Sequence, residues 1–90
     1  MPMANEETYA RITLRMARVL SRVARGHSYA EIADGMNLGL RTVAGDVTRA
    51  EGLTGSANKG ELIRWWQDHE RAWARWWLDQ LGIDPQDLIA

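Results

Sequence analysis

Apolar positions recur at three- and four-residue spacing through most of this chain, and that period is helical rather than extended. Ile12, Met16, Val19, Leu20 and Val23 share one stripe, with Arg11, Arg15, Arg18 and Arg22 on the other side. After a short frayed start, MPMAN, Asn5 offers a cap, and Glu6 and Glu7 suit the positive end of a helix dipole. The pattern predicts one helix from Asn5 to about Arg25, turned by Arg25-Gly26-His27. His27 reads as a loop residue. Ser28 with Glu31 then forms a capping box, and Tyr29, Ile32, Ala33 and Met36 repeat as a short apolar face. Asn37 and Gly39, both tolerant of positive φ, bracket Leu38 in a turn. A second helix follows with Leu40, Val43, Val47 and Ala50 inward, and Gly52 is expected to stop it. Two short helices joined by about four residues define a helix-turn-helix.

Beyond a loop at 53–57, Asn58 with Glu61 repeats the capping logic, and a long helix is expected from about Lys59 to Leu81, closed by Gly82. Asp84, Pro85 and Asp87 suit one last helical turn, from which Leu88 and Ile89 would pack back on a neighbouring helix. The long helix holds all 5 tryptophans. Leu62, Trp66, Trp73, Trp77 and Leu81 fall near one stripe, flanked by Ile63, Trp65 and Trp76. Trp73, Trp76 and Trp77 extend past what a three-helix core needs, and an exposed aromatic cluster marks an interface. The alternative is that the helix folds back and the tryptophans fill an intramolecular core.

Composition narrows the class. A chain of 90 residues makes a single domain with one core, organised as 1–57 (first helix and helix pair) and 58–90 (Trp-rich helix and closing turn). With Cys 0 there is no disulfide framework, thiolate metal site or thiol nucleophile. No apolar run has membrane-spanning length and no signal-peptide pattern is present, so a soluble, cytoplasmic protein is expected, with no membrane partner. The chain lacks a phosphate loop, paired-histidine metal spacing, and a nucleophile beside a base. His69-Glu70 reads as a surface pair. Neither an enzyme nor a cofactor is expected.

Net charge is -1, a weak signal for nucleic acid. Its distribution says more. Between Arg11 and Arg49, the arginines 11, 15, 18, 22, 25, 41 and 49 face only Glu31, Asp34 and Asp46. After Trp65, Arg71 and Arg75 are outnumbered by Asp68, Glu70, Asp79, Asp84 and Asp87. A basic half with an acidic tail fits a DNA binder with a separate partner surface; ordinary solvated faces are the other reading. Acidic neighbours argue against base stacking on the tryptophans.

The segment Ile32–Val43, I-A-D-x-M-N-L-x-x-R-T-V, resembles the LuxR/GerE-type DNA-binding domain. The likeness continues without gaps from Thr13-Leu14-Arg15 through Val19-Leu20 and Ala24-Arg25-Gly26 to Asn58-Lys59-Gly60-Glu61-Leu62, about fifty residues. The helix pair alone is also similar to that of sigma-factor region 4, and the helix after Asn58 favours the first likeness. It implies an all-α, four-helix helix-turn-helix domain with an extended C-terminal dimerisation helix. It also implies Arg41, Thr42, Ala44, Gly45, Thr48 and Arg49 toward DNA, and Leu62, Trp66, Trp73, Trp76, Trp77 and Leu81 at a dimer interface. In that family the last helix pairs two subunits so that two recognition helices lie about one DNA turn apart.

Departures from the pattern are specific. Ala44 and Asp46 stand where the family has lysine and histidine, and Gly39 where a serine caps the recognition helix. On a phosphate-facing surface Asp46 would repel, and Asp46→His would strengthen binding. Ala50, Glu51 and Thr54 replace an apolar ending. The leading expectation is a small stand-alone DNA-binding transcriptional regulator acting as a homodimer on double-stranded DNA. The alternatives are a protein-binding variant that no longer reads DNA and engages another transcription regulator or RNA polymerase, and a DNA-packaging or recombination accessory protein.

Overall fold

The computed structural model describes residues 2–88, with side chains from residue 5 to 84 and at 86 and 87. It comprises five helices and a closing 3-10 turn: α1 Pro2–Arg11, α2 Leu14–Ala24, α3 Tyr29–Met36, α4 Leu40–Thr54, α5 Lys59–Leu81, and the turn Pro85–Leu88. No strand occurs among the described residues. No helix there is long and apolar enough to cross a membrane.

The expected helix from Asn5 to Arg25 is two helices. Asn5 lies inside α1 and caps nothing; the cap is Thr13, whose hydroxyl accepts from the Met16 N–H at 3.1 Å. In an unbroken helix that N–H would bond the Ile12 carbonyl four residues back. The break therefore frees the Ile12 carbonyl. Two indoles of α5 take it: Trp73 Nε1 donates at 3.2 Å and Trp77 Nε1 at 3.4 Å.

The helix pair follows the sequence reading more closely. Ser28 and Glu31 complete a reciprocal capping box. Asn37, with φ 54, alone adopts the left-handed conformation in the turn; Gly39 has φ -73 and caps α4 without a side chain. Leu38 is half-buried as expected, but Leu40 is exposed rather than inward. Gly52 does not stop α4. The helix runs two residues further, to Thr54, and Gly55 at φ 71 ends it in a conformation that disfavours other residues.

Helix α5 has the expected bounds. Asn58 accepts from the Glu61 N–H at 2.9 Å, while the Glu61 carboxylate accepts from Ala57 N–H, not from Asn58. At the other end, Asp84 accepts from Gln86 N–H at the start of the 3-10 turn. The packing expected of Leu88 and Ile89 lies outside the described side chains. Helix α5 packs across α2, α4 and α1, and the core gathers Ile12, Met16, Val19, Ile32, Val43, Leu62 and Trp66. The Cα extents are 35 × 34 × 18 Å, so the molecule is a slab. At 1.5 Å per residue α5 is about 34 Å long and spans its full width.

Candidate nucleic-acid interface

Helix α4 lies against α3 and α2 with Val43, Val47 and Ala50 buried. That arrangement leaves Arg41, Gly45, Thr48 and Arg49 exposed along one side, at i, i+4, i+7 and i+8. Thr42 and Ala44 are half-buried at its edge. The six residues expected toward DNA thus share one flank of α4, although two of them are partly covered. Glu7, Thr8 and Arg11 of α1 line a groove with Gly52 and Leu53, so α1 lies beside the last turn of α4. Lys59 places its ammonium 5.2 Å above the Tyr29 ring, tying the start of α5 to α3.

Asp46 does not stand on this surface. It is 2% exposed, the sole buried charged group among the described residues. Arg15 of α2 grips it with Nε on Oδ2 and Nη2 on Oδ1, both at 2.9 Å. Arg49 Nη1 reaches Oδ1 at 3.5 Å. A carboxylate left alone at that depth would be strongly disfavoured, and paired charge-assisted bonds offset the desolvation. Hydrogen bonding to Asp46, and then its charge, raises the Arg15 pKa above its ordinary value. The expectation that Asp46 repels phosphate from the helix surface is therefore corrected, and the physical reason is this pairing. The position carried a signal. Val43, Asp46, Val47 and Ala50 fall at i, i+3, i+4 and i+7, the inward stripe itself.

The arginine row of the first helices divides in the same way. Arg11, Arg15 and Arg18 are exposed, whereas Arg22 is half-buried and donates to the Arg18 carbonyl at 3.3 Å.

The aromatic surface expected on α5 is largely internal. Leu62, Trp66 and Trp73, expected at a dimer interface, are buried in the protein's own core. Trp66 Nε1 donates to Ser21 Oγ at 3.2 Å, and Trp73 to Ile12 as above. Trp76 and Trp77 are half-buried. Helix α1 is what the sequence reading left out: Tyr9 meets Trp65, His69 and Trp76 edge-on, with centroids 6.2, 5.9 and 6.5 Å away. His69 is no surface residue either. It stacks on Trp65 at 4.1 Å, and its Nδ1 shares a hydrogen bond of 2.7 Å with the Tyr9 hydroxyl. Glu70 accepts from Ser21.

What stays open on α5 is its outer C-terminal side. Leu81, 61% exposed, and Leu14 of α2, 59% exposed, flank a groove lined by Trp73, Ala74, Trp77 and Leu78. No protein-family model, curated protein or solved structure matches this chain. The likeness to the LuxR/GerE type thus rests on the residues that carry it.

Proposed function

We propose that this chain is a small transcriptional regulator that binds double-stranded DNA as a homodimer. The observation that carries the reading is the open flank of α4. Arg41, Gly45, Thr48 and Arg49 are exposed in line on a helix whose other side is locked into the core. An α-helix presented this way fits the major groove, and Arg15, bonded to Asp46, and Arg11, beside Gly52 and Leu53, supply cations next to α4 for phosphate. Pairing is assigned to the Leu14–Leu81 groove, with a second copy of this chain as occupant. Neighbouring grooves are lined by Arg71 and Arg75 and by Asp79 and Asp84, so charges of both signs lie along the C-terminal half of α5 and just beyond it, as an antiparallel two-fold pairing requires.

Selection from random and genomic duplex DNA across salt concentrations tests the reading. The expected result is recovery of a two-fold-related site, with log affinity falling against log salt at a slope of about -5 for some six phosphates neutralised per dimer. No retention at the lowest salt overturns it. Leu81→Glu should convert dimers to monomers by sedimentation with helicity unchanged; a wild type that is monomeric, or a variant of unchanged mass, removes the dimer. A second reading, a protein-binding variant that engages a transcription regulator or RNA polymerase, draws on Ala44 and Gly45. These put no polar side chain at the middle of the α4 flank.

A further inference from the structure

The buried Asp46 does more than survive inside a basic surface. We infer that it is a positioning residue: it draws the guanidinium groups of Arg15 and Arg49 to one point, and the two together grip one backbone phosphate of duplex DNA. The inference rests on the DNA-binding reading above and deepens it. Three observations carry it.

The first is the geometry. Asp46 spends both oxygens on the two arginines, at 2.9, 2.9 and 3.5 Å, so the guanidinium of one helix is held beside that of another. The second is exposure. Asp46 is 2% exposed, while the Arg15 and Arg49 side chains are 48% and 61% exposed. The anion is hidden and the cations are presented. The third is the supply of donors. A guanidinium has five N–H groups in a rigid fork, and Arg15 uses Nε and Nη2 on Asp46 while Nη1 makes no hydrogen bond among the described residues. Arg49 engages only Nη1.

Two cations against one anion leave a net charge of about +1, which a phosphodiester neutralises. Neither arginine pairs with another carboxylate among the described residues. Gly45, next to Asp46, has no atom within 4 Å of where a Cβ would stand, so it leaves open space at that point of α4. Arg15 comes from α2, outside the helix pair, and so anchors the protein on the strand that flanks the groove. A phosphate contact of this kind sets register and adds affinity without reading sequence.

The test compares the wild type with Asp46→Asn, Arg15→Gln and the double variant R15L/D46L, by fluorescence anisotropy on the selected duplex and a random duplex across potassium chloride concentrations. Thermal midpoints are measured alongside. Asp46→Asn removes a negative charge, so simple repulsion would make it bind tighter. Positioning makes it bind more weakly, to the same degree on both duplexes. Arg15→Gln should lower the magnitude of the salt slope by about 0.9 per subunit, or about tenfold in affinity at 0.1 M salt for each phosphate released. The double variant replaces the buried carboxylate and the guanidinium that satisfies it with apolar side chains, and so keeps the fold even where a single change unfolds it. It keeps Arg49 and with it the net charge of about +1, so its salt slope should stay near that of the wild type while both duplexes bind more weakly, at a wild-type-like midpoint, for want of the second guanidinium and of the anion that positions the first. Tighter or unchanged binding by Asp46→Asn overturns the inference, as does wild-type affinity in the double variant. If the wild type retains no duplex, the DNA-binding reading falls and takes this inference with it. If it binds and the variants match it, only this inference falls.

Discussion

Single residues decide what the α4 surface can be, and Asp46 is the main one. Because it is buried against Arg15, its replacement partners are constrained. Arg15→Leu alone removes both short bonds to the buried carboxylate and leaves it only Arg49 at 3.5 Å, whereas Arg15→Leu with Asp46→Leu removes both charges of the pair. The single variant should therefore unfold at lower urea than the double one. Glu31 provides a pH test. Its pKa is held below the usual value, first by the Ser28 backbone N–H and then by the Ser28 hydroxyl. A depressed folded pKa means the stabilisation is present above about pH 4.5 and is lost as pH falls through the folded value. The gap in thermal midpoint between wild type and Glu31→Gln should accordingly be present at pH 6 and shrink as the pH is lowered below 4.5. A gap that persists in acid would show that the carboxylate charge is not what the box uses. Gly45 is a helix-interior glycine with open space around it, so Gly45→Ala should raise stability by about 1 kcal/mol.

At the scale of elements, starts and stops were legible where one side chain sets them. Ser28 with Glu31, Asn58, and Gly82 mark helix ends that the structure places at those positions. The break at Thr13 was not legible. Ile12 and Met16 lie on either side of it and both point inward, so the apolar period runs straight through. Only the hydroxyl at Thr13 distinguishes a cap from a helix interior, and threonine serves in both. Thr13→Ala should cost about 1 kcal/mol by denaturant titration, as other caps do. Gly52 misled for the opposite reason. A glycine weakens a helix without ending it, and Leu53, half-buried, is held by packing while Gly55 supplies the left-handed turn. The Asp46 pair and the Trp73 bond join residues 31 and 61 positions apart. No local spacing encodes such pairings.

For the whole molecule, the slab form explains the fate of the tryptophans. At 18 Å thick the molecule is about two helices deep. A helix spanning its width therefore has one side on the core along its whole length, provided something covers the C-terminal half. Here α1 and the break that follows it do so, through Tyr9 and Ile12. The core and the candidate pairing surface consequently separate by residue. Trp73→Ala should destabilise the fold by about 3–5 kcal/mol in urea unfolding. Leu81→Glu should change sedimentation with little change in unfolding midpoint. If Trp73→Ala instead left stability untouched and split a dimer, the indole would be an interface residue after all. The helix pair and the exposure of Arg11, Arg15 and Arg18 could be read from the chain alone, though Arg22, expected outward with them, is half-buried; the role of α1 could not, because the aromatic residue through which it acts, Tyr9, carries no helical pattern of its own.

The Ile12 carbonyl has a consequence for how this chain tolerates variation. The acceptor that anchors the far half of α5 belongs to the main chain, so any amino acid at position 12 supplies it. Drift at that position alters the packing and leaves the tether intact. The donors have no such insurance, since among natural side chains only tryptophan carries an indole N–H. Sequence libraries selected for folding should therefore admit many apolar residues at 12 while holding tryptophan at 73, an asymmetry between two partners of one bond.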